Sequence, residues 1–140
     1  MFVKNFKYTD FNGVEREENI RFHLTKAEIY EMELTTEGGL AELINRIVKA
    51  NDSVEIIKIF KEIILKSYGE MSPDGKYFLK EDENGNPLSR KFAQTEAYSM
   101  LFTELATDDK AASEFINGIM PRELIEEAKS KGLLTDINIK

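Results

Sequence analysis

The side chains that could perform chemistry are few in this chain. His23 is the single histidine, and it falls on the polar side of an alternating segment, where a solvated residue is expected. A general base needs both a partner group and a pocket, so the sequence disfavours catalysis by His23. Cysteine is absent, which excludes disulfides, thiolate catalysis and cysteine-bound zinc. No catalytic residue is predicted, and we expect a protein that is not an enzyme.

Two acidic clusters contain the ligand type that hard cations prefer. One lies in residues 15–18 and the other in residues 81–83. The stretch 82–86 looks superficially like a calcium loop, but such a loop needs glycine at its sixth position and glutamate at its twelfth. The chain has Pro87 and Ala93 there. Because nothing fixes the geometry of these carboxylates, solvated loops and strand ends are favoured, and no metal or cofactor is predicted.

Charge and composition narrow the classes of partner. The 140 residues include 26 acidic and 19 basic side chains, which gives a formal net charge of −7. This balance argues against binding to nucleic acid or to anionic lipid, since both attract cationic surfaces. No apolar run approaches the roughly 20 residues of a membrane span, and the N-terminus lacks the apolar core of a signal peptide. The composition is therefore typical of an intracellular, soluble domain.

The elements that position these side chains begin with a β-hairpin over residues 1–24. Apolar and polar residues alternate on both arms, as in half-buried strands. The alternating apolar positions are Phe2, Phe6, Tyr8, Ile20, Phe22 and Leu24. Between the arms, Asn12-Gly13 is typical of a tight turn because both residues accept positive φ angles.

Helices are predicted over residues 25–69 and 89–132. Thr25 and Glu28 have the spacing of a capping box at the start of the first helix. An amphipathic stripe follows at residues 40–48, and then the most apolar segment, which we expect to form a central helix that ends at Gly69. A further helix begins at Ser89 and continues through Leu105, and caps at residues 107–108 and a proline at 121 begin two more.

Two segments offer apolar groups outside these helical stripes. Residues 70–88 contain two turn-forming tetrapeptides and are predicted to form a protruding loop, and residues 133–140 form an apolar tail. The tail could bind a partner or pack back on the domain. The candidate partner-binding residues are Tyr77, Phe78, Leu79, Leu133, Leu134, Ile137 and Ile139. The fold class is α+β, a single domain over residues 1–140 with an N-terminal β-hairpin, a mostly α-helical bundle and one protruding loop.

Several sequence blocks in this order resemble the tail assembly chaperones of long-tailed, siphovirus-type bacteriophages that infect Gram-positive bacteria. The blocks lie in residues 8–13, 24–40, 56–60, 68–75, 92–98, 105–107 and 115–118. The resemblance implies a protein that binds the tape-measure protein, keeps it soluble and helps recruit subunits of the major tail-tube protein. It also implies self-association into oligomers or a spiral, and action in the cytoplasm of the bacterial host but not in the mature virion.

Two other classes compete with this interpretation. One is a small acidic intracellular adaptor or inhibitor of phage origin without catalytic activity, such as a mimic of DNA charge. Lysines interrupt the acidic stretches at positions 58, 61, 66 and 76, which disfavours a phosphate-like array of carboxylates. The other is a metal-assisted hydrolase that uses only aspartate and glutamate, which needs convergent carboxylates in a pocket. The chaperone is the preferred hypothesis.

Overall fold

A computed structural model describes residues 1–35 and 53–121. It has an N-terminal antiparallel hairpin followed by several helices, which confirms the predicted α+β class. The described elements are β1 (Phe2–Thr9), β2 (Glu15–Phe22), α1 (Lys26–Thr35), α2 (Ser53–Ser67), β3 (Tyr68–Met71), β4 (Phe78–Leu79), α3 (Ser89–Phe92), α4 (Glu96–Thr107) and α5 (Asp109–Ile119). The helices predicted at 40–48 and after Pro121, and the tail, lie outside the described residues.

The described strands form one antiparallel sheet in the order β1-β2-β3-β4. The hairpin pairs along its whole length, from Phe2 opposite Phe22 to the residues beside the turn. The chain then returns to the sheet after α2, which ends at Ser67 and not at Gly69 as predicted. Part of the segment 70–88 is therefore strand, because β3 pairs with β2 and β4 pairs with β3.

The core is centred on the base of the hairpin, the end near Phe22. The Phe22 ring is fully buried and has ring contacts at 5.4 Å with Phe115, 5.7 Å with Phe92 and 6.0 Å with Tyr68. Helices α4 and α5 pack on β1, and α2 packs on α4. On β2, residues 15–19 are exposed and burial begins only at residue 20. The start of β2 and the turn therefore project from the body, whereas on the facing strand Phe6 is buried and Tyr8 is half-buried.

Capping side chains fix the starts of three helices: the caps of α1 and α5 were predicted, and that of α4 was not. Thr25 and Glu28 form the predicted capping box, with the Thr25 amide donating to the Glu28 carboxylate at 2.8 Å. The single helix predicted from Ser89 is wrong, because the chain breaks between α3 and α4 at residues 93–95. Thr95 causes the break: its hydroxyl oxygen accepts from the first turn of α4, and its hydroxyl donates back to the Phe92 carbonyl at 2.7 Å.

The hairpin turn differs from the predicted Asn-Gly type. Of its residues only Gly13 has a positive φ, 81°, and the loop spans residues 10–14. The Asp10 carboxylate holds the loop by accepting from the amides of Asn12 and Val14, both at 2.9 Å. Residues 82–86 repeat this arrangement, with Asp82 accepting from the amides of residues 84 and 86 and a φ of 81° at position 85. The stretch that superficially resembles a calcium loop is thus a second Asp-x-Asn-Gly loop.

Candidate protein-binding surfaces

The segment 77–79 has two exposed side chains and one that serves the fold. Tyr77 is 55% exposed and Leu79 is 41% exposed, and they lie two residues apart along the chain at β4. Phe78 is half-buried. A Cβ atom at Gly69 would lie 2.5 Å from the Phe78 ring, so that ring covers the glycine of β3. Leu133, Leu134, Ile137 and Ile139 lie outside the described residues.

The Lys80 ammonium group ties this strand to the body. It donates to the carbonyl oxygens of Lys66 at 2.6 Å and His23 at 2.9 Å, and it lies 3.0 Å from the Glu28 carboxylate. Burial lowers the pKa of Lys80, and the Glu28 carboxylate opposes that shift. The ammonium group therefore holds the end of α2, the end of β2 and the start of α1 together.

His23 lies in this junction and is half-buried, not solvated as its position in the alternating segment predicted. Its ring meets the Phe78 ring edge-on at 6.3 Å, and burial lowers the pKa of its imidazole. Within the part of the chain that the structure describes, its Nδ1 atom has no hydrogen-bond partner.

A second surface, which we call the hairpin cleft, opens between the projecting half of the hairpin and the break between α3 and α4. Its volume is about 1040 Å³. The side chains that line it come from the hairpin, from β3 and from residues 91–96. The lining residues are Tyr8, Asp10, Phe11, Asn12, Arg16, Glu18, Asn19, Ile20, Arg21, Tyr68, Gly69, Glu70, Met71, Lys91, Phe92, Gln94, Thr95 and Glu96.

Two stacked aromatic rings line the hairpin cleft. The rings of Tyr68 and Phe92 stack with centroids 4.3 Å apart and planes inclined by 7°. Phe92 is buried, and it stands at the end of α3 because the Thr95 hydroxyl stops the helix there. Ile20 lies beside them as the first partly buried residue of β2. The apolar side chains that line the cleft are thus continuous with the hydrophobic core.

Two carboxylates of the hairpin cleft are held by phenol hydroxyls. Tyr8 donates to Glu18 at 2.6 Å, and Tyr68 donates to Glu70 at 3.1 Å. The hydrogen bond to Glu18 raises the pKa of Tyr8 to about 12, and burial together with Glu70 raises the pKa of Tyr68. Both phenols therefore stay protonated at neutral pH and donate to the two carboxylates.

The basic side chains of the hairpin cleft interact with other groups. The Arg16 guanidinium pairs with Asp10 at 2.6 Å, and Arg21 points its Nη1 atom toward the Met1 sulfur at 3.9 Å. Lys91 is close enough to Asp82 to lower the pKa of that carboxyl group. Within residues 1–35 and 53–121, neither of the two phenol-bound carboxylates forms an ion pair.

Phe11 stands at the mouth of the hairpin cleft and was not predicted as a binding residue. It is 75% exposed, more than any other large hydrophobic side chain of the described residues. The sequence does contain a signal, since the two Asp-x-Asn-Gly loops differ at their second position, where one has Phe11 and the other Glu83. The cleft itself leaves no such signal, because its walls come from segments far apart in the chain.

Comparison with known proteins decides the family. A family model described as phage tail assembly chaperone matches residues 1–136. The chain belongs to this family. Searches of curated proteins and of solved structures gave no match.

Two further observations on this family member concern metal-binding groups and membrane-spanning helices. Across residues 1–35 and 53–121 there is no group of three or more histidine, aspartate or glutamate side chains arranged to hold a metal ion. In the same ranges, every helix is too short or too polar to cross a membrane.

Proposed function

We propose that this chaperone binds the tape-measure protein of a long-tailed phage, keeps it soluble and helps recruit major tail-tube subunits during tail assembly. The observation that carries the proposal is the family match over residues 1–136. The chaperone acts by contact alone, without a cofactor, in the cytoplasm of a Gram-positive host, and it leaves before the virion is complete.

Exposed apolar side chains support a role in covering the apolar surface of a client. Besides Phe11, the described residues expose Met1, Val3, Val14, Tyr30, Met71, Tyr77, Leu79 and Met100, each by more than a third. The net charge of −7 keeps such a protein soluble despite these groups. A long helical client favours many copies along its length, and a contact that does not close into a ring generates a spiral.

The test is co-expression with the tape-measure protein of the same phage. We expect that protein to stay in the soluble fraction when the chaperone is present and to precipitate when it is absent. Precipitation in both cases would contradict the proposed function.

The same assay tests the exposed face of β4. Replacing Tyr77 and Leu79 with serine is expected to weaken client binding or self-association, while Phe78 stays in place because its ring covers Gly69. A chain that ends at Gly132 tests the four apolar residues of the tail. Unchanged sedimentation and unchanged co-purification of both variants would remove these two segments from the binding surface.

A further inference from the structure

Residues of β2 alternately face β1 and the opposite, outer edge of the strand. The Asp10 amide donates to the Val14 carbonyl oxygen at 2.9 Å, which places the even-numbered residues of the hairpin in its hydrogen-bonded pairs. The odd-numbered residues of β2 therefore point their N–H and C=O groups away from β1. The His23 amide follows this alternation, because it donates on the outer side to the Ser67 carbonyl oxygen at 2.7 Å.

The outer edge of β2 is open where the strand is exposed. Strand β3 pairs with β2 only at residues 21–22 and then continues with β4 as its partner. Within residues 1–35 and 53–121, the outward backbone groups at positions 15, 17 and 19 have no hydrogen-bond partner. An open edge of this kind can accept a further strand, because main-chain hydrogen bonds then supply the affinity.

The hairpin cleft lies along this open edge and provides apolar contacts beside it. Phe11 and the stacked rings of Tyr68 and Phe92 line the cleft. Strand β1 contributes only Tyr8 to this surface, so the cleft belongs to the β2 side of the hairpin. A strand added to β2 therefore gains both backbone hydrogen bonds and apolar burial.

The charges of the hairpin cleft do not select an occupant, because both signs are present. Glu18 and Glu70 are the carboxylates beside the stacked rings, and Arg21 and Lys91 are cations of the same cleft. The edge selects instead for a pattern of side chains. Those of a strand alternate between its two faces, so a strand on this edge needs apolar residues at every second position, where they point into the cleft.

The tail has this pattern in its sequence. Its odd positions have apolar or β-branched side chains, and most of its even positions have polar ones. The odd residues are Leu133, Thr135, Ile137 and Ile139. The even residues are Leu134, Asp136, Asn138 and Lys140. A period of two with β-branched residues on one side is typical of a strand with one buried face.

The chain leaves the described residues beside the base of β2. The Leu24 amide donates to the Ile119 carbonyl oxygen at 2.8 Å, and Pro121 is the last described residue. Residues 122–132 span about 16 Å as a helix and about 36 Å when extended, whereas position 20 lies only about 13 Å along β2 from Leu24. The tail can therefore reach the edge from the base and run antiparallel to β2. The tether also favours the chain's own tail over that of a second copy, because it raises the effective concentration.

We propose that residues 135–140 of this chain add to the outer edge of β2 as an antiparallel strand and close the hairpin cleft. The added strand pairs the open backbone groups of β2. Ile137 and Ile139 point into the cleft, where they contact Phe11 and the stacked rings. The exposed face of β4 stays uncovered.

One register of this strand avoids like charges across the pair. It places Asp136 opposite Asn19, Asn138 opposite Glu17 and Lys140 opposite Glu15. A shift by two residues places two carboxylates, those of Asp136 and Glu17, opposite each other, which is destabilising.

Disulfide trapping in the full chain tests the register, because the sequence has no cysteine of its own. In the proposed register Glu18 and Ile137 form a non-hydrogen-bonded pair, whose Cα atoms lie about 4.5 Å apart, within the range that a disulfide spans. Glu18→Cys with Ile137→Cys is therefore expected to form a disulfide within one chain in oxidised glutathione. Mass spectrometry and non-reducing electrophoresis detect this bond and show whether it lies within one chain.

Two control pairs separate docking from chance contact. Glu18→Cys with Asp136→Cys places the second thiol on the opposite face of the tail. Glu62→Cys with Ile137→Cys moves the first thiol to an exposed position on α2. We expect the proposed pair to form its disulfide at least about tenfold faster than either control. Circular dichroism of all three variants should match that of the wild type.

Two results would overturn the proposal. Equal rates for the proposed pair and the controls would contradict docking of the tail on β2. A disulfide that joins two chains would give the open edge to the tail of a second copy. Neither experiment contains the tape-measure protein, so failure of this inference leaves the proposed function standing, and precipitation of the tape-measure protein leaves this inference standing.

Discussion

The loops at residues 10–14 and 82–86 have the same turn geometry but different side chains at their second position. Both are Asp-x-Asn-Gly sequences in which an aspartate carboxylate accepts backbone amides and a glycine takes a φ of 81°. The first loop connects the two hairpin strands, and its exposed Phe11 lines the hairpin cleft. The second loop has an exposed Glu83 at the same position. The comparison separates what the backbone needs, aspartate and glycine, from the exposed Phe11 ring, which the backbone does not need.

The largest expected effect is a loss of stability when a buried ring of the same hairpin, and not the exposed Phe11 ring, is removed. Phe22 is fully buried among Phe2, Tyr68, Phe92 and Phe115. Phe22→Ala should lower the free energy of unfolding by about 3–5 kcal/mol, because it removes a core ring and leaves a cavity. Urea unfolding of the variant and the wild type measures this loss. A loss below about 1 kcal/mol would contradict the placement of the core at the base of the hairpin.

The next effect tests whether the two loops are the same turn. Gly13 and Gly85 both have a φ of 81°, and an added Cβ atom meets nothing within 4 Å at either position. Gly13→Ala and Gly85→Ala should therefore cost only the left-handed backbone penalty, about 1–2 kcal/mol each. Thermal unfolding of the two variants is the measurement. Clearly unequal losses would show that the loops are not equivalent.

Exchanging the second positions is expected to have little effect on folding. Phe11→Glu and Glu83→Phe should each change the free energy of unfolding by less than about 0.5 kcal/mol, because both side chains are exposed. Chemical unfolding of each variant provides the measurement. A loss of more than about 2 kcal/mol for Phe11→Glu would mean that the ring supports the fold, and Phe11 would then lose its role as a binding residue.

The smallest expected effect is a change in the pKa of one of the two loop aspartates, Asp10 and Asp82. Hydrogen bonds lower the pKa of both below the usual 3.8, with the Arg16 guanidinium the main cause at Asp10 and the backbone amide of Asn86 at Asp82. Arg16→Ala should therefore raise the pKa of Asp10 and leave that of Asp82 unchanged in an NMR titration. Since both values are depressed, each carboxylate contributes its full stabilisation above 3.8 and loses it as the pH falls through its folded-state pKa. Equal shifts at both aspartates would contradict the Asp10–Arg16 pair.

Local patterns predicted the elements whose signals lie within a few residues. The hairpin follows from alternation, and the start of α1 follows from the spacing of Thr25 and Glu28. The turn type was wrong because the Asp10 side chain, and not two positive φ angles, holds the loop. The break before α4 was missed because the Thr95 hydroxyl outweighs an apolar spacing that continues through it.

Such local patterns could not predict the pairing of strands from distant parts of the chain, and they could not predict the hairpin cleft. Strand β4 has only two residues, Phe78 and Leu79, and is set by pairing with β3, by the Phe78 ring over Gly69 and by the Lys80 ammonium group. The hairpin cleft needs three segments to meet, and their separation in the chain hides it from periodicity. The resemblance to tail assembly chaperones predicted the family, whereas residue chemistry alone led only to an α+β intracellular binding domain.

Hydrogen exchange at single amides, measured by NMR in the full chain and in its Ile137→Ser, Ile139→Ser variant, tests the central claim most directly. The account predicts exchange at least about tenfold faster in the variant at positions 15, 17 and 19, whose amides face the open edge of β2. The amides at positions 16, 18 and 20, which face β1, and the loop at 82–86 should be unaffected. Unchanged exchange at all three outward positions would contradict the account.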